Sequence, residues 1–142
     1  MVLILMANSP LIFGQLSLQW EREFNGNGGF NYSDVPRSTT VDSHGNLIIT
    51  GYCYDLGYFN YFITVKYDPA GNLMWSKRYD SINYESAYSV TTDLNNNVYI
   101  TGGNSALTII KYSSFGELRW VVRDADCTNG ASIVTDQIGN IY

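Results

Sequence analysis

An all-β fold, built from four-stranded antiparallel meanders that recur along the chain, is what this sequence of 142 residues predicts. One phrase is written three times: Asp42-Ser-His-Gly-Asn-Leu-Ile-Ile-Thr-Gly51, Asp93-Leu-Asn-Asn-Asn-Val-Tyr-Ile-Thr-Gly102 and Asp136-Gln-Ile-Gly-Asn-Ile-Tyr142. A second phrase follows the first two copies: Ile63-Thr-Val-Lys-Tyr-Asp-Pro-Ala-Gly-Asn-Leu-Met-Trp75 and Leu107-Thr-Ile-Ile-Lys-Tyr-Ser-Ser-Phe-Gly-Glu-Leu-Arg-Trp120. Copies spaced by 40 to 55 residues mark a repeat architecture. Between the turn residues lie β-branched and aromatic runs of five to seven residues, and long helical patterns are absent.

The elements follow in order. Residues 1–15 open with an apolar run, Met1 to Phe13, broken by Asn8, Ser9 and Pro10. The run is too short to span a bilayer and is expected to be a truncated signal peptide, ending near Gly14 and Gln15. It lacks the positively charged flank of such a leader, and a start codon placed inside a longer reading frame is the alternative. Leu18-Gln-Trp20 recurs as Leu73-Met-Trp75 and Leu118-Arg-Trp120, so a strand that ends one repeat precedes the first full copy. A Gly- and Asn-rich loop, Asn25 to Asp34, comes next.

Each repeat then offers four strands. The first runs Pro36–Asp42, Ala87–Asp93 and Gly130–Asp136, with Ser38, Ser89 and Ser132 each four residues before the Asp. The second is Leu47–Gly51 and Val98–Gly102, the third Phe62–Tyr67 and Leu107–Tyr112, the fourth Leu73–Tyr79 and Leu118–Arg123. Gly45 and Gly139 stand where a hairpin needs a left-handed residue, and Asn96, the next-best residue for it, takes that place in the middle copy. Gly71 and Gly116 do the same between strands three and four.

The steps from Lys66 to Lys111 and from Trp75 to Trp120 are both 45 residues, whereas Trp20 to Trp75 is 55. The extra length lies between strands two and three, where the first copy has Tyr52–Tyr61, and between strand four and the next strand one. In a meander these two connections share one end, and the uniform turns share the other. Function on a rigid scaffold concentrates in variable loops.

These phrases resemble the SBBP family of seven-bladed β-propeller repeats, over about residues 18–142. The resemblance implies four-stranded blades set radially with strand one innermost: blade one at about 34–80, blade two at about 86–124 and the start of another at 130–142, an incomplete ring of about two and a half blades within 16–142. Pro36 departs from the Ala usual at the start of the inner strand. A propeller closes with typically four to eight blades, so the chain reads as a fragment of a longer protein, or as one that closes a ring by self-association. The resemblance also implies a bacterial, secreted or cell-envelope protein, and it carries no catalytic residues to this chain.

Composition bounds the function. A net charge of −5, with eight scattered Lys and Arg residues, excludes a phosphate-backbone partner. Cys53 and Cys127 lack Cys or His neighbours at ligand spacing, so neither a zinc site nor a disulfide scaffold is expected. The three Asp residues of the repeated phrase lack the alternating acidic loop of a calcium site and fit turn stabilisation better. Asp124-Ala-Asp126 is a weaker candidate for calcium. His44, the one histidine, falls in a uniform turn without a visible partner. No cofactor or metal is expected.

Ligand-binding candidates cluster at the variable end: Tyr52, Tyr54, Asp55, Tyr58 and Phe59 in one loop, Phe30, Tyr32 and Asp34 in another, and Tyr84 beside Asn83 and Glu85 in a third. Rings beside carboxylates and amides suit a sugar or peptide surface. Their competing role is packing over the blade ends. The three Trp residues read as blade packing, and Lys66 and Lys111 as caps on a strand edge. The expected function is a noncatalytic scaffold for a protein or carbohydrate ligand. The alternative is a piece of an extracellular propeller hydrolase or lyase whose active site lies on other blades.

Overall fold

In the computed structural model the described residues are 2–8, 17–24, 33–54, 60–80 and 85–142. They form ten strands. β1 (Val2–Asn8) pairs with β2 (Ser17–Phe24) as a two-stranded sheet. β3 (Asp34–Val41), β4 (Leu47–Tyr54), β5 (Asn60–Tyr67) and β6 (Leu73–Tyr79) form one antiparallel meander. β7 (Ser86–Thr92), β8 (Val98–Gly103), β9 (Leu107–Tyr112) and β10 (Leu118–Asp124) form another of the same order. These sheets are blades of an incomplete propeller, and no ring closes.

The sequence fits this geometry because the second strand of each meander is covered on both sides. β4 and β8 are buried almost throughout, which is why Leu47-Ile-Ile and Val98-Tyr-Ile are continuous apolar runs and not alternating ones. One cluster lies between the two meanders: Ile48 and Phe62 of the first meet Val98, Ile100, Ile110 and Tyr112 of the second, with Trp75 and Val121 packed against them. A second cluster joins Trp20 of β2 to Leu47, Ile49, Val65 and Tyr67.

Among the described residues, five tight turns repeat one bonding scheme. The first residue's carbonyl accepts from the amide three positions on, and its own amide donates to the carbonyl four positions on, as for Asp42, Asp68, Asp93, Ser113 and Asp136. The Asp Oδ1 also accepts two backbone amides, those of His44 and Asn46 in the first turn. The carboxylates are turn staples, and Asp68, Asp93 and Asp136 repeat the bonds. Asp124 also stabilises a turn, accepting from Asp126 N at 2.9 Å.

Asn96 adopts φ 60° at the position that Gly45 holds at φ 78°. It also has a task that glycine lacks. Its Oδ1 accepts from Ser43 N and Oγ, both at 3.0 Å, and its Nδ2 lies 2.9 Å from His44 Nδ1. The substitution that keeps the backbone conformation thus also ties two neighbouring turns together.

The serines noted before each Asp form a ladder across the inner strands. Val90 N donates to Ser38 Oγ at 3.3 Å, and Ile133 N donates to Ser89 Oγ at 3.2 Å. Residues 130–142 lie against the second meander in this way, held also by Gly130 N to Gly102 O at 3.1 Å. They carry an isolated bridge, Thr135 to Ile141, where the sequence predicted a full inner strand at Gly130–Asp136.

Val2–Asn8 falls in the segment expected to be a leader, and the structure pairs it with β2. The pairing has the register of strands three and four: Met6 faces Trp20, as Lys66 faces Trp75 and Lys111 faces Trp120. The same irregularity follows each of these pairs. Short apolar runs suit an h-region and a strand alike, so composition does not separate the two.

The Gly that closes each Thr-Gly phrase is explained by close approach. A Cβ on Gly51 would sit 2.0 Å from Val35 O, and one on Gly102 would sit 2.1 Å from Ser86 O. Gly102→Ala is expected to cost about 3 kcal/mol in urea unfolding through overpacking against backbone. Gly139→Ala meets nothing within 4 Å and is expected to cost about 1 kcal/mol, from its left-handed φ alone. Equal losses would overturn this account.

Candidate functional site

Next to the close approach at Gly51 and Gly102 the innermost strands are irregular. Register slips between Pro36 and Ser38 and again between Ala87 and Ser89, which leaves Arg37 and Tyr88 as the bulged residues. Pro36, expected at a strand's first position, sits inside β3, and it is tolerated there because β3 is an edge strand about to bulge. Arg37, Tyr88 and Ala131 hold the same place in successive repeats. With Asn129 they line an open groove of about 430 Å³.

Arg37 is joined to the neighbouring strand. Its guanidinium carbon lies 5.2 Å from the centre of the Tyr52 ring, and its Nη2 donates to the Tyr52 hydroxyl at 3.2 Å. Tyr52 in turn meets Tyr54 edge to face, with ring centres 5.5 Å apart and planes at 84°. A hydrogen bond with Tyr52, followed by that residue's charge, holds the Tyr54 phenol above its ordinary pKa. The result is a row of a cation and two rings leading from the groove to the variable end.

The structure therefore brings three of the sequence candidates, Asp34, Tyr52 and Tyr54, to one end of the first blade, and places them on strands, not in loops. β4 continues through Tyr54 and β5 begins at Asn60, so the connection is shorter than the expected Tyr52–Tyr61. The reason is packing: Tyr52 and Tyr61 are buried and their strands stay paired to the end. Asp34 is also buried, opposite Cys53. Burial pushes the Cys53 thiol far up, and a hydrogen bond with Asp34 adds to this, so the sulfur is a poor nucleophile. Asp55, Tyr58, Phe59, Phe30, Tyr32 and Tyr84 lie outside the described residues.

Glu85, grouped by sequence with the ligand surface, is instead fully buried. It accepts from Thr108 Oγ1 at 3.0 Å and pairs with Arg123. Arg78 stacks on Tyr61, 3.6 Å from its centre, and pairs with Asp80 at 2.5 Å. Lys66 corrects another expectation. It is not a cap on a strand edge but is 1% exposed, with Nζ 2.8 Å from Asp42 Oδ2. Lys111 lies over the Tyr99 ring, 4.8 Å from its centre. Tyr99 explains the difference: its hydroxyl donates to Asp93 Oδ2 at 2.9 Å, where the first blade has Ile48 and leaves the carboxylate to lysine.

The row and groove suit recognition. His44 is engaged with Asn96 at the uniform end, away from the groove. Among the described residues no group of three His, Cys, Asp or Glu could hold a metal ion. Sequence reasoning missed Arg37 and Tyr88. The available signal was the repeat position just before the recurring serine, which changes from Arg to Tyr to Ala while the serine stays.

No family model matches the chain. It is 29% identical over 103 residues to an uncharacterized WD repeat-containing protein of Acanthamoeba polyphaga mimivirus. That match covers 72% of this chain and 7% of the relative, so the chain spans a small part of that protein's length. A crystal structure of a protein of unknown function from Bacteroides caccae is similar in fold, with a TM-score of 0.57 at 11% identity. The likeness covers 87% of this chain and 41% of that one.

Proposed function

We propose that this chain is part of a noncatalytic propeller scaffold of the SBBP repeat type, acting outside the cell or at its envelope, that holds a protein or carbohydrate ligand through the loops of one face. The observation that carries this reading is the difference between the two blade ends. One end repeats the same stapled turn and spends its side chains on holding blades together. The other changes in length and sequence from copy to copy and presents Arg37, Tyr52 and Tyr54 in a row. A likeness to a WD repeat-containing protein supports the scaffold part of the reading. The location rests on the resemblance of the repeated phrases to the SBBP family.

Tyr54 is the residue to change, because it is half-buried at the end of β4 and its loss opens no core. Tyr54→Ala, Asp55→Ala and Tyr58→Ala are each expected to weaken capture on peptide and glycan arrays by about tenfold, with stability within about 0.5 kcal/mol of the parent. Variants that lose stability and leave capture unchanged would make the loop a packing element and remove this reading.

A further inference from the structure

We infer that the groove along the innermost strands is a subsite for a carboxylate presented by a peptide, with Arg37 as its anchor. This rests on the proposed binding role of the same face and deepens it.

The groove is made by three repeat-equivalent positions, so its shape follows from the fold, while its chemistry is written by the residues that vary. Arg37 supplies the charge, Tyr88 an aromatic wall and Ala131 the space. A large side chain at 131 would close it. Arg37 is exposed, and among the described residues its partners are the ring and hydroxyl of Tyr52, with no carboxylate among them. One of its five N–H donors is used by that hydroxyl. Among the described residues the rest of the planar fork is open to a bidentate carboxylate, the geometry guanidinium matches best. Stacking on Tyr52 fixes the direction of the fork before a ligand arrives, which lowers the ordering cost of binding.

Charge separates a peptide from an acidic polysaccharide. The chain carries −5 overall, and a string of uronates would be repelled beyond the one cation in the groove. A single carboxylate flanked by neutral or aromatic residues meets Arg37 and Tyr88 without that repulsion.

The test uses an array of N-acetylated, C-amidated pentapeptides with a central glutamate, each beside its glutamine twin, together with tri-galacturonate. Glutamate peptides are expected to bind at least about tenfold better than their twins. Arg37→Gln should lower glutamate-peptide binding by about tenfold to a hundredfold and leave the twins unchanged. Arg37→Lys should fall between, keeping the charge without the fork. Ala131→Tyr should block binding while leaving Arg37 in place, a second route should Arg37→Gln fold poorly. Equal binding of the twins, equal loss on both after Arg37→Gln, or tighter binding of tri-galacturonate than of any pentapeptide would overturn the assignment. If Tyr54→Ala abolishes capture and Arg37→Gln does not, the scaffold reading stands and this one falls. If no peptide or glycan is captured, both fall.

Discussion

Lys66→Ala is expected to cost about 3–5 kcal/mol in urea unfolding, an effect large enough to threaten a small domain. The side chain is buried, and its ammonium meets Asp42 Oδ2 at 2.8 Å and Ser114 O at 3.3 Å. Removing it leaves the Asp42 carboxylate in a site that is closed to water. The double variant Asp42→Asn with Lys66→Met should lose much less, because no charge is then left unpaired. A double variant as unstable as Lys66→Ala would overturn this account, because methionine keeps the packing of the lysine stem and no charge is left unpaired.

The same pair sets a pH dependence. Burial raises the Asp42 pKa, but hydrogen bonds from Lys66 and Asn46 and the lysine's charge outweigh it, so the net shift is below 3.8. A depressed carboxylate contributes stability above its unfolded pKa and loses it as pH falls through the folded value. The gap between the parent and Lys66→Ala should therefore hold at neutral pH and narrow in acid below about 4.

Trp75→Ala is expected to cost about 3–5 kcal/mol as well, by opening the seam between the two blades. The indole lies 6.1 Å from the Tyr112 ring, and its Nε1 donates to Ser114 O at 3.1 Å. Trp75→Phe should retain most of the packing and lose about 1 kcal/mol with the hydrogen bond. Trp120→Ala should cost far less than Trp75→Ala. Its ring meets Tyr99 of its own blade at 6.0 Å, and no neighbouring turn carbonyl receives its N–H among the described residues. Urea midpoints for the three variants check this, and similar losses at both tryptophans would contradict the seam.

Trp20 repeats the arrangement one step earlier, donating to Pro69 O at 3.0 Å. The rule is thus a tryptophan on strand four of one unit bonded to the turn of the next. That rule was half legible: the recurrence of Leu-x-Trp marked a packing residue, and the recurrence of Gly71 and Gly116 marked a turn. Their meeting was not legible, since the partners are separated by 49 and 39 residues. The serine ladder is of the same kind. Its residues stood out in sequence, but the acceptor role of each appears once the next inner strand lies beside it.

The candidate site divides along the same line. Tyr52 and Tyr54 were visible as rings near a loop, yet β4 is buried through Cys53, so Tyr52 is covered and Tyr54, at the strand's last position, is half-exposed. Arg37 and Tyr88 were hidden because a bulge has no signature of its own when the residue it displaces is not glycine. Glu85 looked like a surface carboxylate until Thr108 and Arg123, distant in sequence, closed over it.

By itself, the sequence determined the repeat, the strand order within each blade and the chemistry of the turns. These depend on local backbone demands and on apolar periodicity, which a single strand of text records. The tertiary structure alone decided which charges are buried, which rings line a groove and which blade faces meet. Those outcomes depend on contacts between residues tens of positions apart. The same lysine is a buried ion-pair partner at 66 and rests on a tyrosine ring at 111 because isoleucine stands across from one and tyrosine across from the other.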